Sequence, residues 1–268
     1  MRGKAPFPGW LLAGLSLLLL ISSAVGAEPG TVETTLSQIG CLYSQCGLGT
    51  VTADAARLVC DADFSVIPGG VLYQNLPGGP TTQESMAQCF YGDETLAVCT
   101  VTPVQLKALM ETGVGRIVTT DRDTIDEDDS AFEGFPQISG FQVKCDYSAL
   151  PGSRVLWIKT ADGTELDLAD DATAYTLVST DELLAGGYGY TSLNREPVGP
   201  TMLECLWDYI TAGRAKAAGN PYTIIGIQGN ILMQNVSPVI PALLTAMFLC
   251  VGAMTGGRVE RRKRSEQI

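Results

Sequence analysis

The sequence predicts an α+β domain, a mixed sheet with helices, set between an N-terminal signal peptide and a C-terminal membrane helix. Three observations carry this expectation. Helix-then-strand units in the first half give way to closely spaced strand candidates with tight turns in the second, the order expected of helices packed on a sheet with antiparallel hairpins. Both ends of the 268-residue chain are apolar runs flanked by basic residues. The stretch between them is acidic and holds Cys41, Cys46, Cys60, Cys89, Cys99, Cys145 and Cys205.

Residues 1–27 start with Arg2 and Lys4, continue through an apolar core from Trp10 to Ile21 and close on the small residues Ser22 to Ala27. This three-part pattern reads as a secretory signal peptide cut before Glu28, with an uncleaved N-terminal anchor as the alternative. The domain then occupies 28–214. Leu48, Val51, Ala55 and Leu58 recur at helical spacing between Gly47 and Cys60, and Asp63 to Ile67 reads as a strand ending in a Pro-Gly-Gly turn. A turn-rich link from Asn75 to Thr82 leads to a short helix over Glu84–Cys89. Thr95 to Thr102 is rich in β-formers, and Pro103 opens a helix from Val104 to Thr112 that Gly113 is expected to stop.

The acidic stretch Asp121 to Asp129 reads as a solvated loop, with a calcium site as the alternative, although it lacks the spacing of an EF-hand. Strands are expected over Phe135–Tyr147, Arg154–Thr160 and Ala174–Thr180, separated by Pro-Gly and Asp-Gly turns. Met202 to Thr211 places Leu203, Leu206, Trp207 and Ile210 at core spacing on a closing helix.

Residues 215–235 read as a juxtamembrane linker and 236–255 as a membrane helix, whose 19 or so apolar residues span roughly 28 Å. Pro238 and Pro241 fall in its first turns, where a missing N–H does least harm. The tail 256–268 carries Arg258, Arg261, Arg262, Lys263 and Arg264 and is expected in the cytoplasm, giving a single-pass protein of the cell membrane with its domain outside. A buried C-terminal core helix is the alternative.

Of 29 acids and 17 bases, the two ends hold two acids and seven bases, leaving 27 acids against 10 bases in the domain. Nucleic acid is therefore not an expected partner. The chain has no histidine, which removes the commonest metal ligand and the usual general base at neutral pH. The cysteine spacings match no zinc pattern and read as disulfide staples whose connectivity the sequence leaves open.

Five segments in order resemble the C-terminal domain of the 5'-nucleotidase and UDP-sugar hydrolase family. Gly49 to Ala55 resembles the family's Gly-Asn-Leu-x-x-Asp-Ala helix, and Ala62 to Gly70 its strand into a Gly-Gly turn. Gly92 to Lys107 resembles its strand and Gln-Leu helix, Phe135 to Gly140 its Phe-x-Gln-Val-Ser-Gly strand, and Ala185 to Tyr190 its Ala-Gly-Gly-Asp-Gly-aromatic loop. The resemblance runs from about residue 33 to residue 213. It implies a substrate-recognition domain that grips a nucleobase between two aromatic rings, with Tyr190 at one ring position and Tyr91 or Phe90 at the other. Glu196 would stand for an acid that holds ribose hydroxyls.

The departures bear on function. The family's Asn-Gly-Gly-Gly-Ile-Arg is Pro68 to Tyr73 here, the region of a further substrate-binding Arg reads Cys41 to Cys46, and the loop Asp is Tyr188. Lost charged donors weaken nucleotide binding. The family's two-metal catalytic domain precedes this one and is expected to be absent from the chain, so no cofactor and no turnover by the chain alone are expected. Three readings follow: a non-catalytic binding module for a nucleoside or nucleotide, the substrate-binding subunit of a hydrolase whose metallophosphatase is a separate chain, or a structural surface domain with a degenerate site.

Overall fold

The computed structural model describes residues 30–120, 124–214 and 221–225. The expected signal peptide, membrane helix and basic tail, together with Cys250, lie outside the described residues. Among the described residues no helix is long and apolar enough to cross a membrane.

In chain order the elements are β1 (Gly30–Val32), α1 (Gly47–Val59), β2 (Phe64–Pro68), β3 (Gly79–Thr81), α2 (Gln83–Ala87), β4 (Thr95–Val101), α3 (Pro103–Val114) and α4 (Glu127–Ser130). There follow β5 (Pro136–Ser139), β6 (Phe141–Asp146), β7 (Val155–Thr160), β8 (Tyr175–Thr180), α5 (Asp181–Leu184), β9 (Arg195–Thr201), α6 (Met202–Thr211) and β10 (Tyr222–Ile225). The main sheet has the order β5-β2-β8-β4-β9, and within it only β2 and β8 run parallel. A smaller sheet, β10-β6-β7, pairs β10 with β6 in parallel, and β1 pairs with β3.

Strand alternation divides the core into two apolar layers. Ile67, Leu96 and Val178 face α1, α2 and α6, while Phe64, Val66, Ala97, Cys99, Val101 and Leu177 face α3 and the small sheet. The main sheet is thus covered on both faces, which is why β2 is buried at all five positions.

Local chemistry fixes the helix starts. Thr102 and Thr201 form capping boxes with Gln105 and Glu204, and Pro103 enters α3 at its first position. Cys46 caps α1, its sulfur accepting from Gly49 N at 3.1 Å, and is joined to Cys41 in a disulfide.

Four expectations change. Helix α3 runs through Gly113 to Val114, because Gly113 packs flush on the Pro136 ring and the Tyr190 hydroxyl and serves as a contact, not a stop. The segment 135–147 is two strands in two sheets, broken at Gly140, whose φ of +88° suits glycine. Part of the acidic loop forms α4, capped by Asp126, and residues 121–123 lie outside the described residues. Within the expected linker, Tyr222–Ile225 is a strand, and Tyr222 is buried with its hydroxyl donating to Pro136 O at 2.6 Å.

Candidate functional site

The loop after β8 begins at α5, capped by Thr180, and the bidentate pair of Arg195 with Asp181 (2.6 and 3.1 Å) ties it to β9. Gly186 (φ +100°) and Gly189 (φ +82°) bracket Tyr188, itself at φ +58°, in a tight turn. Glycine at two of these places spares the loop the steric penalty that Tyr188 bears.

The turn aims Tyr190 inward. Its ring is 6% exposed, its hydroxyl donates to Gly134 O at 2.7 Å, and it stacks on Phe132 with centroids 6.4 Å apart. Burial holds its phenol far above the ordinary range, so it stays neutral. A shallow groove of about 150 Å³ runs past its other edge, lined by Gln105, Thr112, Ser192 and Leu193 among others.

Tyr91 is instead turned out to solvent. It is 75% exposed, its N–H donates to Val71 O at 2.8 Å, and its ring meets that of Tyr73, 57% exposed, edge to face at 6.1 Å. Phe90 is buried in the layer beneath with Val71 and Leu72, so of the two residues considered for this position Tyr91 presents a free face. No ring contact joins Tyr190 to Tyr91 or Phe90, and Phe90 and Tyr190 belong to opposite core layers. Glu196 is exposed on β9, across from Val98.

The Pro-Gly-Gly turn sits between these aromatics. Gly69 N donates to Phe135 O at 2.8 Å and Gly70 N to Glu133 O at 2.7 Å. A Cβ on Gly69 would overlap the Cys41 carbonyl oxygen, and one on Gly70 would meet Glu133 Cβ at 2.6 Å. The disulfide loop Cys41–Cys46 is itself held by Gln137, whose amide donates to Cys41 O and Ser44 O (2.8 Å each) and accepts from Cys46 N at 2.9 Å. Gln137 of the Phe-x-Gln strand thus anchors the segment that carries a substrate-binding Arg in the resembled pattern.

Sequence reasoning did not single out Tyr73, nor the carboxylates around Tyr188. Burial first, then the charges of Glu182, Glu94 and Glu133, raise the Tyr188 phenol, which donates to Glu182 at 3.2 Å. Burial, then Glu182 and Asp93, likewise hold the Glu94 carboxyl above its usual value. The charges acting on both groups are carboxylates, so the field here repels a phosphate. Among the described residues these acids do not form a metal-ligating group. The sequence signal was the acidic excess of the domain, but only folding brings Glu94, Glu133 and Glu182 to one phenol.

The model of the 5'-nucleotidase C-terminal domain family matches residues 25–195. No curated protein matches the chain. Among solved structures, a 5'-nucleotidase precursor of Thermus thermophilus superposes with a TM-score of 0.62 at 20% identity, over 76% of this chain and 40% of that one. The NAD nucleotidase of Haemophilus influenzae gives 0.58 at 14% identity, over 74% and 38%. A sulfate thiohydrolase of Thermus thermophilus gives 0.54 at 18% identity, over 76% and 36%. At these identities the likeness concerns the fold, and the chain spans about 40% or less of each structure's length. With its two-layered core, its Gly-Gly turn on the disulfide loop and a family match over more than half its length, the chain belongs to the 5'-nucleotidase C-terminal domain family.

Proposed function

We propose that this chain is a membrane-held, extracytoplasmic member of its family that does not hydrolyse nucleotides by itself and takes a phosphate-free ring, a nucleoside or nucleobase, against the exposed face of Tyr91. The observation that carries this is the Tyr91–Tyr73 pair, open to solvent and fixed by a backbone hydrogen bond to the Gly-Gly turn. A flat exposed ring stacks on a base with little demand on its identity, at about 1–3 kcal/mol per base. The carboxylates near Tyr188 and Glu94 and the replacement of the family's Asn and Arg by Pro68 and Tyr73 weigh against a phosphorylated ligand. Tyr190 keeps the loop in place and leaves stacking to Tyr91. The leader, the apolar run at 236–255 and the basic tail support the location. Two-metal hydrolysis needs a clamp of ligands around both ions, and among the described residues no group of acids and cysteines is placed to hold a metal.

The test is thermal unfolding of the full chain in detergent with adenosine, free bases and AMP. Binding to the native state alone raises stability by about 2.7 kcal/mol at a hundredfold excess over Kd. The reading expects a shift with adenosine, a smaller one with AMP, and loss of both in Tyr91→Ala. No shift with any of them leaves the structural surface domain as the better reading.

The second reading, a substrate-binding subunit, draws on the solved relatives being more than twice the length of the matched part. It expects phosphatase activity of a separate metallophosphatase chain to gain from adding this one. An additive, unchanged rate on mixing would remove it.

A further inference from the structure

Cys60 and Cys205 meet where α1 packs on α6. Cys60 is the C-cap of α1 and half-buried, whereas Cys205 lies in the first turn of α6 and is fully buried. Both are free thiols, Cys60 packs against the apolar layer that contains Cys205, and each is the group that acts most strongly on the other. The other free thiols among the described residues have no such neighbour: Cys89 reaches the carbonyl of Ser85 at 3.5 Å, and Cys99 and Cys145 are enclosed in the opposite layer.

We propose that Cys60 and Cys205 form a second disulfide of this domain, closed by exchange with an external disulfide, either a low-molecular-weight one such as oxidised glutathione or that of a dithiol oxidoreductase. Two thiols brought together where α1 packs on α6 are placed for such a bond, whose Cβ atoms must lie within a few ångströms. Cys60 ends its helix in a turn, its N–H donating to Ala56 O at 3.0 Å and Asp61 following at φ +51°.

The two thiols also differ in the way exchange needs. The bond from Cys205 holds the Cys60 thiol below its ordinary value, while Cys205 is raised by that same bond and by burial. Burial pushes Cys89 and Cys99 up to about 11 and Cys145 up to about 12, which leaves them poor nucleophiles. Cys60, accessible and the more acidic, attacks the external disulfide as thiolate and expels one thiolate of it. Cys205 then gives up its proton and attacks the Cys60 sulfur, releasing the second thiolate. The protein loses two electrons and two protons, and the external disulfide becomes two thiols.

The bond would close a loop from residue 60 to residue 205, far longer than the loop of Cys41–Cys46, and longer loops lose more unfolded-state entropy on closure. It would also fasten α6, which lies beyond the family match, to α1 within it.

The test uses the full chain equilibrated in glutathione redox buffer at a ratio where Cys41–Cys46 is closed, then alkylated and digested without reduction. The expected result is a cross-linked peptide pair carrying Cys60 and Cys205, with neither residue alkylated. Cys60→Ser, whose new hydroxyl is half-exposed, should then melt roughly 5–15 °C below wild type under oxidising conditions, the gap closing in excess reductant. Alkylation of both Cys60 and Cys205 while Cys41–Cys46 is closed overturns the proposal, as does finding Cys60 joined to any other cysteine. The cross-link is read on the unmodified chain, so it stands whether or not the variant folds.

Discussion

Two tyrosines at resembling positions have opposite fates, and the difference is physical. Tyr190 points into the room left by Gly113, its hydroxyl against that glycine and bonded to Gly134 O. Tyr190→Phe leaves that carbonyl without its donor, and a loss of about 1–3 kcal/mol in denaturant unfolding is expected. Tyr91→Ala removes an exposed ring and should stay within about 0.5 kcal/mol of wild type while abolishing the adenosine shift. If Tyr190→Phe left stability intact, the architectural role assigned to that ring would fall.

Asp54 offers a pH test. Burial raises its carboxyl, only partly offset by the hydrogen bond from the Ser139 hydroxyl and the charge of Arg57, which itself donates to Ser139 at 2.9 Å. An acid whose folded pKa is raised contributes stability below its unfolded value, about 3.9, and that contribution is lost as pH climbs through the raised folded value. Stability should therefore decline over this window above pH 4 by an amount that Asp54→Asn removes, measured as midpoints of urea unfolding at stepped pH. A variant with an unchanged pH profile would rule Asp54 out as the source.

At the scale of elements, the sequence was most legible where apolar spacing was regular. The helices α1, α3 and α6 announced themselves that way, with Pro103 marking the start of α3, while the capping boxes of Thr102 and Thr201 are seen only in the structure. Strand β9 was missed because Pro197 and Pro200 argue against a strand, yet β9 is an edge, where a missing donor is tolerated. Gly113 misled in the same way, since a stop signal and a close contact look alike in sequence. Gly113→Ala separates them. Alanine should gain about 1 kcal/mol of helix propensity, but its methyl would overlap the Pro136 ring and crowd the Tyr190 hydroxyl, an overpacking that typically costs about 1–3 kcal/mol. Net destabilisation is expected, and a stabilised variant would return Gly113 to the role of a simple helix interruption. The candidate site was legible as positions but not as orientations: that Tyr91 and not Phe90 faces outward depends on the bridge between Leu72 and Phe90, a long-range pairing no local pattern reports.

For the whole molecule, the question is where the domain ends. The family match stops at residue 195, inside β9, but the core does not. Met202, Cys205, Leu206, Tyr209 and Ile210 of α6 complete the apolar layer above the main sheet, and β10 adds a parallel edge to the small one. The stretch 215–235 read as linker because it lies between the closing helix and the apolar run at 236–255, and a short parallel strand at a sheet edge gives little local signal even with Tyr222, Ile224 and Ile225 in it. Tyr222 makes the case for counting β10 as part of the fold. Its ring packs on Phe135 at 5.7 Å, its hydroxyl donates to Pro136 O, and both partners lie at the start of β5, beside the Gly-Gly turn that carries the candidate site. Losing a buried aromatic side chain typically costs about 3–5 kcal/mol. Tyr222→Ala should therefore lower the unfolding free energy by about that much, and a chain ended after residue 214 should be at least as unstable, whereas one that keeps residues to 225 should not. Equal midpoints for chains ended at 214 and at 225 would make β10 an ornament of the small sheet. A large difference would extend the domain some thirty residues past the family match and tie the far end of the chain to the turn beneath Tyr91.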